Sequence, residues 1–303
     1  MNCNLCPRQC NIDRAERNGF CGVDGIVLSR VAPHMWEEPP ISGTKGSGTV
    51  FFAGCNLRCR FCQNYDITVK PHGVAVTPQR LADVFLYLCD TSVANINLVT
   101  AAQVSDKVAE ALALVKHKLT LPVVYNTSSY ETVDAIRRLD GLVDVYLPDL
   151  KFCDSELSKR FANAPDYFDV ATAAIAEMKR QQPTNVYDND GYIERGLILR
   201  HLVLPAHVED TKRVLDWVVH FCPTTTVSLM SQYFVARHDD KYTELNRKLY
   251  KREYEAARQY FFNVGLSDGF CQDPSSATVD YLPDFVDGDV SDLLNIVPHV
   301  IDK

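Results

Sequence analysis

Thr49-Val50-Phe51-Phe52-Ala53-Gly54-Cys55-Asn56-Leu57-Arg58-Cys59-Arg60-Phe61-Cys62 decides how the rest of the chain is read. The apolar run Thr49–Phe52 has the composition of a strand, so the three cysteines fall in the loop that leaves it. Thiolate is the soft ligand that holds iron–sulfur clusters, and such clusters ordinarily take four cysteines. Here one short loop offers three, at i, i+4 and i+7. A four-iron cluster on three thiolates keeps one iron open to a small molecule. A zinc clip would need a fourth ligand close by, and none follows within the loop.

On these residues the loop resembles the Cys-x3-Cys-x2-Cys loop of the radical S-adenosylmethionine (SAM) superfamily, with the aromatic Phe61 ahead of the third cysteine. The resemblance implies that Cys55, Cys59 and Cys62 hold a 4Fe-4S cluster whose open iron chelates the amino and carboxylate groups of SAM. It further implies a one-electron donor such as flavodoxin or ferredoxin, and a 5′-deoxyadenosyl radical that abstracts hydrogen.

A second cluster of cysteines lies at Cys3, Cys6 and Cys10, completed by Cys21 in Gly19-Phe20-Cys21-Gly22. Four thiolates within so short a stretch suit one closed metal site, either zinc or a second iron–sulfur cluster. The Cys6-Pro7-Arg8 segment and Trp36-Glu37-Glu38-Pro39-Pro40-Ile41-Ser42-Gly43 resemble a branch of proteins similar to pyruvate formate-lyase-activating enzyme. The remaining cysteines, Cys89, Cys153, Cys222 and Cys271, stand alone and are read as buried free thiols.

The 303 residues allow one large domain or two small ones, and 46% hydrophobic content is ordinary for a globular chain. Lysine and arginine number 31 against 39 acids, a net charge of −8, which disfavours nucleic acid and anionic membrane surfaces as generic partners. With no basic segment followed by an apolar run and no stretch long enough to span a bilayer, the expected location is the cytoplasm.

Residues 33–48, rich in Pro and Gly, read as an irregular connector in which Glu37 and Glu38 are solvated or, alternatively, line the mouth of the site. From Thr49 onward strands alternate with helices. Strands are expected over 95–99, 121–125, 142–147, 197–204 and 225–230. Between them come a helix opened by Thr77-Pro78, one capped by Ser105, one begun by a capping box at 128–131, and helical stretches over 154–162, 166–180 and 210–221. A long charged helix is read over 242–263. The alternation gives an α/β fold with a parallel sheet or barrel. The resemblance narrows it to an open six-unit (βα) partial barrel over residues 49–232, preceded by an N-terminal metal-binding extension and connector (1–48) and followed by a C-terminal helical segment (233–303).

In parallel α/β folds chemistry gathers at the carboxyl ends of strands. The polar residues there are Thr100, Asn126, Asp149, Lys151 and Arg200. The superfamily commonly carries Gly-Gly-Glu where this chain has Thr100-Ala101-Ala102-Gln103, which leaves Thr100 as the polar candidate for the SAM amino group. Asp149-Leu150-Lys151 resembles the Asp-x-Lys element of glycyl-radical-enzyme activases, fit to orient SAM. Arg200 and His201 face opposite ways on a strand, and Arg200 is the better carboxylate partner, leaving His201 between sheet and helix. The resulting expectation is a radical SAM enzyme that abstracts hydrogen from a protein or peptide substrate, like a glycyl-radical-enzyme activase. The alternatives are a radical enzyme for a small molecule and a non-catalytic metal-binding scaffold.

Overall fold

The computed structural model describes residues 3–272, 285 and 290–300. Ten strands form one sheet: β1 (Ile26–His34), β2 (Ser47–Phe52), β3 (Val74–Val76), β4 (Ile96–Val99), β5 (Val123–Thr127), β6 (Val145–Pro148), β7 (Val186–Tyr187), β8 (Ile193–Leu202), β9 (Thr226–Met230) and β10 (Gly269–Cys271). Their order is β10-β9-β8-β6-β5-β4-β2-β1-β3, with β7 pairing off the path against β8. All pairings from β2 through to β10 along this order are parallel, whereas β1 is antiparallel to both β2 and β3. The sheet is therefore mixed and mostly parallel, and it is open, with β10 and β3 at its two ends.

The parallel run extends one strand beyond the sequence reading, because the three residues of β10 are too few to carry a period. β1 occupies part of the stretch read as connector, and Pro39–Ser42 forms a short helix before β2. Of the segment read as 233–303, residues 273–284, 286–289 and 301–303 lie outside the described residues. Among the described residues no helix is long and apolar enough to cross a membrane.

Alternation along the strands separates two faces. Ile96, Leu98, Val123, Tyr125, Tyr146, Leu197 and Leu199 join Leu81, Phe85, Val108, Leu112, Val214 and Val218 of the helices in one large core. Their neighbours Val124, Val145, Leu147 and Ile198 pack separately with Ile41. Asn126 and Arg200 keep the parity of this second face, so the polar strand ends point away from the helices.

The helices start where local chemistry allows. Thr77 accepts the Arg80 N–H at 3.1 Å ahead of Pro78, and Asp154 accepts from Glu156 and Leu157. Three expectations fail for identifiable reasons. Ser105 is the first residue of its helix, with Val104 at the cap. The box at 128–131 does not form: Glu131 is taken by Thr127 and Tyr125, Ser129 turns left-handed at φ 64°, and Thr132 caps the helix Val133–Arg137 instead. The charged helix begins at Lys251, where Glu253 reaches back to the Tyr250 N–H at 2.8 Å. Of the lone thiols, Cys222 is buried, whereas Cys89, Cys153 and Cys271 are partly exposed.

Candidate active site

Gly54 begins the cysteine loop with φ 78°, and a Cβ there would sit 2.6 Å from the Cys21 carbonyl oxygen, so the turn out of β2 requires glycine. Beyond it Cys55, Cys59 and Cys62 all line one cavity over the strand ends, which they share with Thr100, Asn126, Asp149, Lys151 and Arg200. The loop is held from several sides. Asn56 donates to Tyr130 O at 2.7 Å, Arg60 N–H to Phe161 O at 2.8 Å, and Gln63 to Gln232 O at 3.3 Å. The Leu57 N–H points at Cys55 Sγ over 3.4 Å, and Thr68 Oγ1 lies 3.4 Å from Cys62 Sγ. Burial pushes the Cys62 thiol up to about 11 and that of Cys59 further, with neighbouring cysteines adding to the shift. Such thiols ionise when a cation takes their proton's place, which is the chemistry of iron ligation. Two buried thiols and one half-buried one lining a single cavity, with an amide donor near Cys55 Sγ and a hydroxyl near Cys62 Sγ, fit an iron–sulfur cluster.

Arg200 anchors the polar side. Its Nε donates to Asp149 Oδ1 at 2.8 Å, Nη1 to Glu37 Oε2 at 3.2 Å and Nη2 to Asn126 Oδ1 at 2.5 Å. Lys151 Nζ donates to the other Asp149 oxygen at 2.5 Å, and Asn97 and Asn126 both donate to Glu37 Oε1 at 3.2 Å. Burial works against the Asp149 carboxylate, but Arg200 and Lys151 outweigh it and its pKa is lowered. Burial raises Glu37 and Glu38, with Arg200 offsetting part of the effect. Burial likewise opposes the charge on Arg200 and Lys151, and Asp149 overcomes it in both. Glu37 and Glu38 are thus enclosed and not solvated, with side chains 10% and 4% exposed. Their cation, Arg200, is far off in sequence, so a local reading has no sight of it. The available signal was two consecutive acids in an otherwise apolar, Pro- and Gly-rich stretch.

Thr100 lies at the end of β4 in the left-handed region, φ 64°, an unusual conformation for a β-branched residue. Its N–H donates to Asn126 O at 3.1 Å, and buried Gln103 clamps it, donating to Thr100 O at 2.7 Å and Ala53 O at 3.0 Å. His201 faces the other way. Its Nδ1 donates to Leu150 O at 2.6 Å, its Nε2 accepts from Thr211 at 3.0 Å, and burial lowers its pKa to about 4.

The N-terminal cysteines dock beside the loop. The Cys21 carbonyl accepts the Cys55 N–H at 3.3 Å, and Arg8 donates to Asn56 O at 2.7 Å and Asn163 O at 2.5 Å. Cys6 lies within electrostatic range of Cys21 and Cys10, and Cys21 within range of Cys10 and Cys3, so the four thiols share one neighbourhood. Among the described residues no group of three or more His, Cys, Asp or Glu side chains is drawn in tightly enough for a single metal ion.

The profile of the Radical SAM superfamily matches residues 49–190. An uncharacterized protein of Methanocaldococcus jannaschii is 30% identical over 264 residues, covering 84% of this chain and 73% of that protein. A second uncharacterized protein of the same organism is 25% identical over 166 residues, covering 48% of this chain and 42% of its own length. Among solved structures, Streptococcus suis SuiB bound to S-adenosylmethionine is similar at a TM-score of 0.44 and 13% identity, over 72% of this chain and 47% of SuiB. Methylornithine synthase (PylB) is similar at a TM-score of 0.43 and 13% identity, over 80% of this chain and 78% of PylB. The chain spans less than half the length of SuiB.

Proposed function

The chain belongs to the radical SAM superfamily, and on that premise we propose that Cys55, Cys59 and Cys62 hold a 4Fe-4S cluster, with SAM bound beside it against Asn126, Asp149, Lys151 and Arg200. The carrying observation is that three thiols of one loop and a buried charged network open into the same cavity. When bound, cluster and SAM supply reductive cleavage of the sulfonium to a 5′-deoxyadenosyl radical, which takes hydrogen from carbon.

The residues of the chain then bind and orient. Arg200 has five N–H groups and gives one each to Asp149, Glu37 and Asn126. Its first task is accordingly to fix the two carboxylates, and its two remaining N–H groups serve the SAM carboxylate. Lys151 adds a second positive charge on the same side. Thr100, clamped by Gln103, presents its backbone and hydroxyl where the superfamily's Gly-Gly-Glu would hold the amino group. Phe51, Phe61, Leu57 and Phe234 give the cavity apolar walls that exclude water from a radical.

In this reading the sheet from β2 to β9 is the six-unit partial barrel of the superfamily, and Cys3, Cys6, Cys10 and Cys21 hold a second metal, zinc or a cluster. The enzyme works in the cytoplasm with a flavodoxin- or ferredoxin-type donor, and it abstracts hydrogen from a protein or peptide, as a glycyl-radical-enzyme activase does. The Asp149-Leu150-Lys151 element supports the activase assignment. The test is anaerobic reduction with SAM, assayed for 5′-deoxyadenosine, followed by incubation with deuterium-labelled cell fractions. Deuterium arriving from a labelled metabolite and from no protein fraction overturns the activase assignment. Absence of 5′-deoxyadenosine from protein carrying a full cluster overturns the radical chemistry.

A further inference from the structure

Behind the cysteine loop lies a second cleft, and Cys59 lines both it and the SAM-side cavity. Its wall carries Arg58, Arg60, Lys159, Arg160, Arg237 and Lys241, and no carboxylate. In a chain of net charge −8, so many cations at one mouth need an explanation. Part of the charge is met just outside the cleft. Arg60 lies 3.6 Å from Asp239, Lys159 lies 3.8 Å from Glu156, and Arg160 bonds to Glu244. Arg58, Arg237 and Lys241 have no carboxylate in ion-pair range among the described residues.

What orders these three is aromatic. Arg58 lies over the Phe20 ring at 4.6 Å, Arg237 over Tyr65 at 4.3 Å and Lys241 over Tyr242 at 5.1 Å. A ring face steadies a cation without cancelling its charge, so its attraction for an outside anion survives. Arg237 Nε, moreover, is buried with no hydrogen-bond partner, a donor left to be satisfied from elsewhere. The cations come from three separate stretches of chain, and the side chains of Arg160, Arg60 and Lys159 are 40%, 44% and 59% exposed. Arg60, Arg160 and Lys241 gather round the Tyr242 ring at 5.6, 5.3 and 5.1 Å, and with Arg58, Lys159 and Arg237 they make one basic wall whose charge complements an acidic protein surface.

We propose that this cleft docks an acidic one-electron carrier protein, with its reduced flavin or iron–sulfur group against the Cys59 side of the loop. The proposal rests on the reading of Cys59 as a cluster ligand. One electron leaves the carrier's reduced group, which is oxidised by one unit, and enters the cluster behind Cys59. No bond is made or broken and no proton need move. The acidic remainder of the chain repels such a partner elsewhere, so the basic mouth sets its orientation as well as its rate of arrival.

The probe is flavodoxin, with the cluster-loaded full chain under anaerobic conditions. Binding of oxidised flavodoxin is measured by calorimetry, and the rate of cluster reduction by the reduced form is followed by stopped-flow absorbance and electron paramagnetic resonance. For Lys159→Glu/Lys241→Glu, both at exposed positions, we expect second-order reduction by flavodoxin to slow by about ten-fold or more, as is usual when steering charges are reversed. Affinity should fall in parallel, while reduction by dithionite and the spectral response to SAM stay at the wild-type level. Arg58→Glu, on the cysteine loop beside Phe20, should act in the same direction. Unchanged flavodoxin binding and reduction in both variants overturns the proposal. So does inorganic pyrophosphate binding at the cleft with the same sensitivity to the variants while flavodoxin does not bind. If no cluster can be loaded at Cys55, Cys59 and Cys62, the cluster reading fails on its own, and flavodoxin binding to the metal-free chain still decides the docking surface.

Discussion

Arg200 donates its Nε–H to Asp149 Oδ1 across 2.8 Å, and the same two residues face each other as an isolated parallel bridge, Asp149 just past the end of β6 and Arg200 within β8. Backbone pairing thus delivers the guanidinium to the carboxylate, and the side-chain contact is fixed by sheet register. Removing one member of a buried ion pair leaves its partner charged and unsolvated. Arg200→Met should therefore cost about 3–5 kcal/mol in urea unfolding. Arg200→Lys should recover only part of this, since one ammonium cannot match a planar fork that meets three acceptors. The pH dependence has a definite sign. The folded pKa of Asp149 lies below its ordinary 3.8, so its stabilisation is full above that value and is lost as pH falls through the lowered one.

Cys59→Ala should abolish 5′-deoxyadenosine formation and the broad iron–sulfur absorbance. The variant should keep its far-ultraviolet circular dichroism, because the loop retains its bonds to Tyr130, Phe161 and Gln232. Activity persisting in this variant would remove Cys59 from the ligand set.

The N-terminal thiols are tested in the absence of the other three. In the triple alanine variant of Cys55, Cys59 and Cys62, metal analysis should find one zinc, or the iron of one cluster, per chain. A further Cys21→Ala change should release it. Neither metal in the triple variant would count against any N-terminal site.

Glu131 supplies a pH dependence of opposite sense. Enclosed with Thr127 and Tyr125, its carboxyl is raised by burial from 4.5 to about 7. Between those values the unfolded chain gives up the proton and the folded chain keeps it, so stability falls as pH rises from 4.5 to about 7 and is level above. The span is worth roughly 3 kcal/mol. Glu131→Gln should flatten that slope in unfolding measured across the range, and an unchanged slope would assign it to other groups.

The cysteine spacing and the strand–helix alternation were legible because both are local. Three thiols at i, i+4 and i+7 and a period of two or 3.6 can be read within one window. What escaped was set at long range. Glu37 and Glu38 read as solvated until Arg200, arriving from β8, encloses them. Ser128-Ser129-Tyr130-Glu131 has the letters of a capping box, but Thr127 and Tyr125 claim the carboxylate first. β10 has its identity only as a neighbour of β9. Thr100 was found by its place after β4, while its left-handed backbone and the Gln103 clamp carried no sequence signal.

Arg8 is joined to Asn163, a partner 155 positions later in the chain. On a ribosome adding roughly 5–20 residues per second, that partner follows Arg8 by about 8 to 30 seconds. Throughout that interval Cys3, Cys6, Cys10 and Cys21 have no completed sheet to dock on, and their thiols meet the cell's metal and oxidant pools directly. On the proposal that these four thiols hold a metal, which metal they acquire is open to kinetic competition during synthesis as well as to affinity. The metal found in the purified protein should vary with the zinc and iron supplied while the chain is being made.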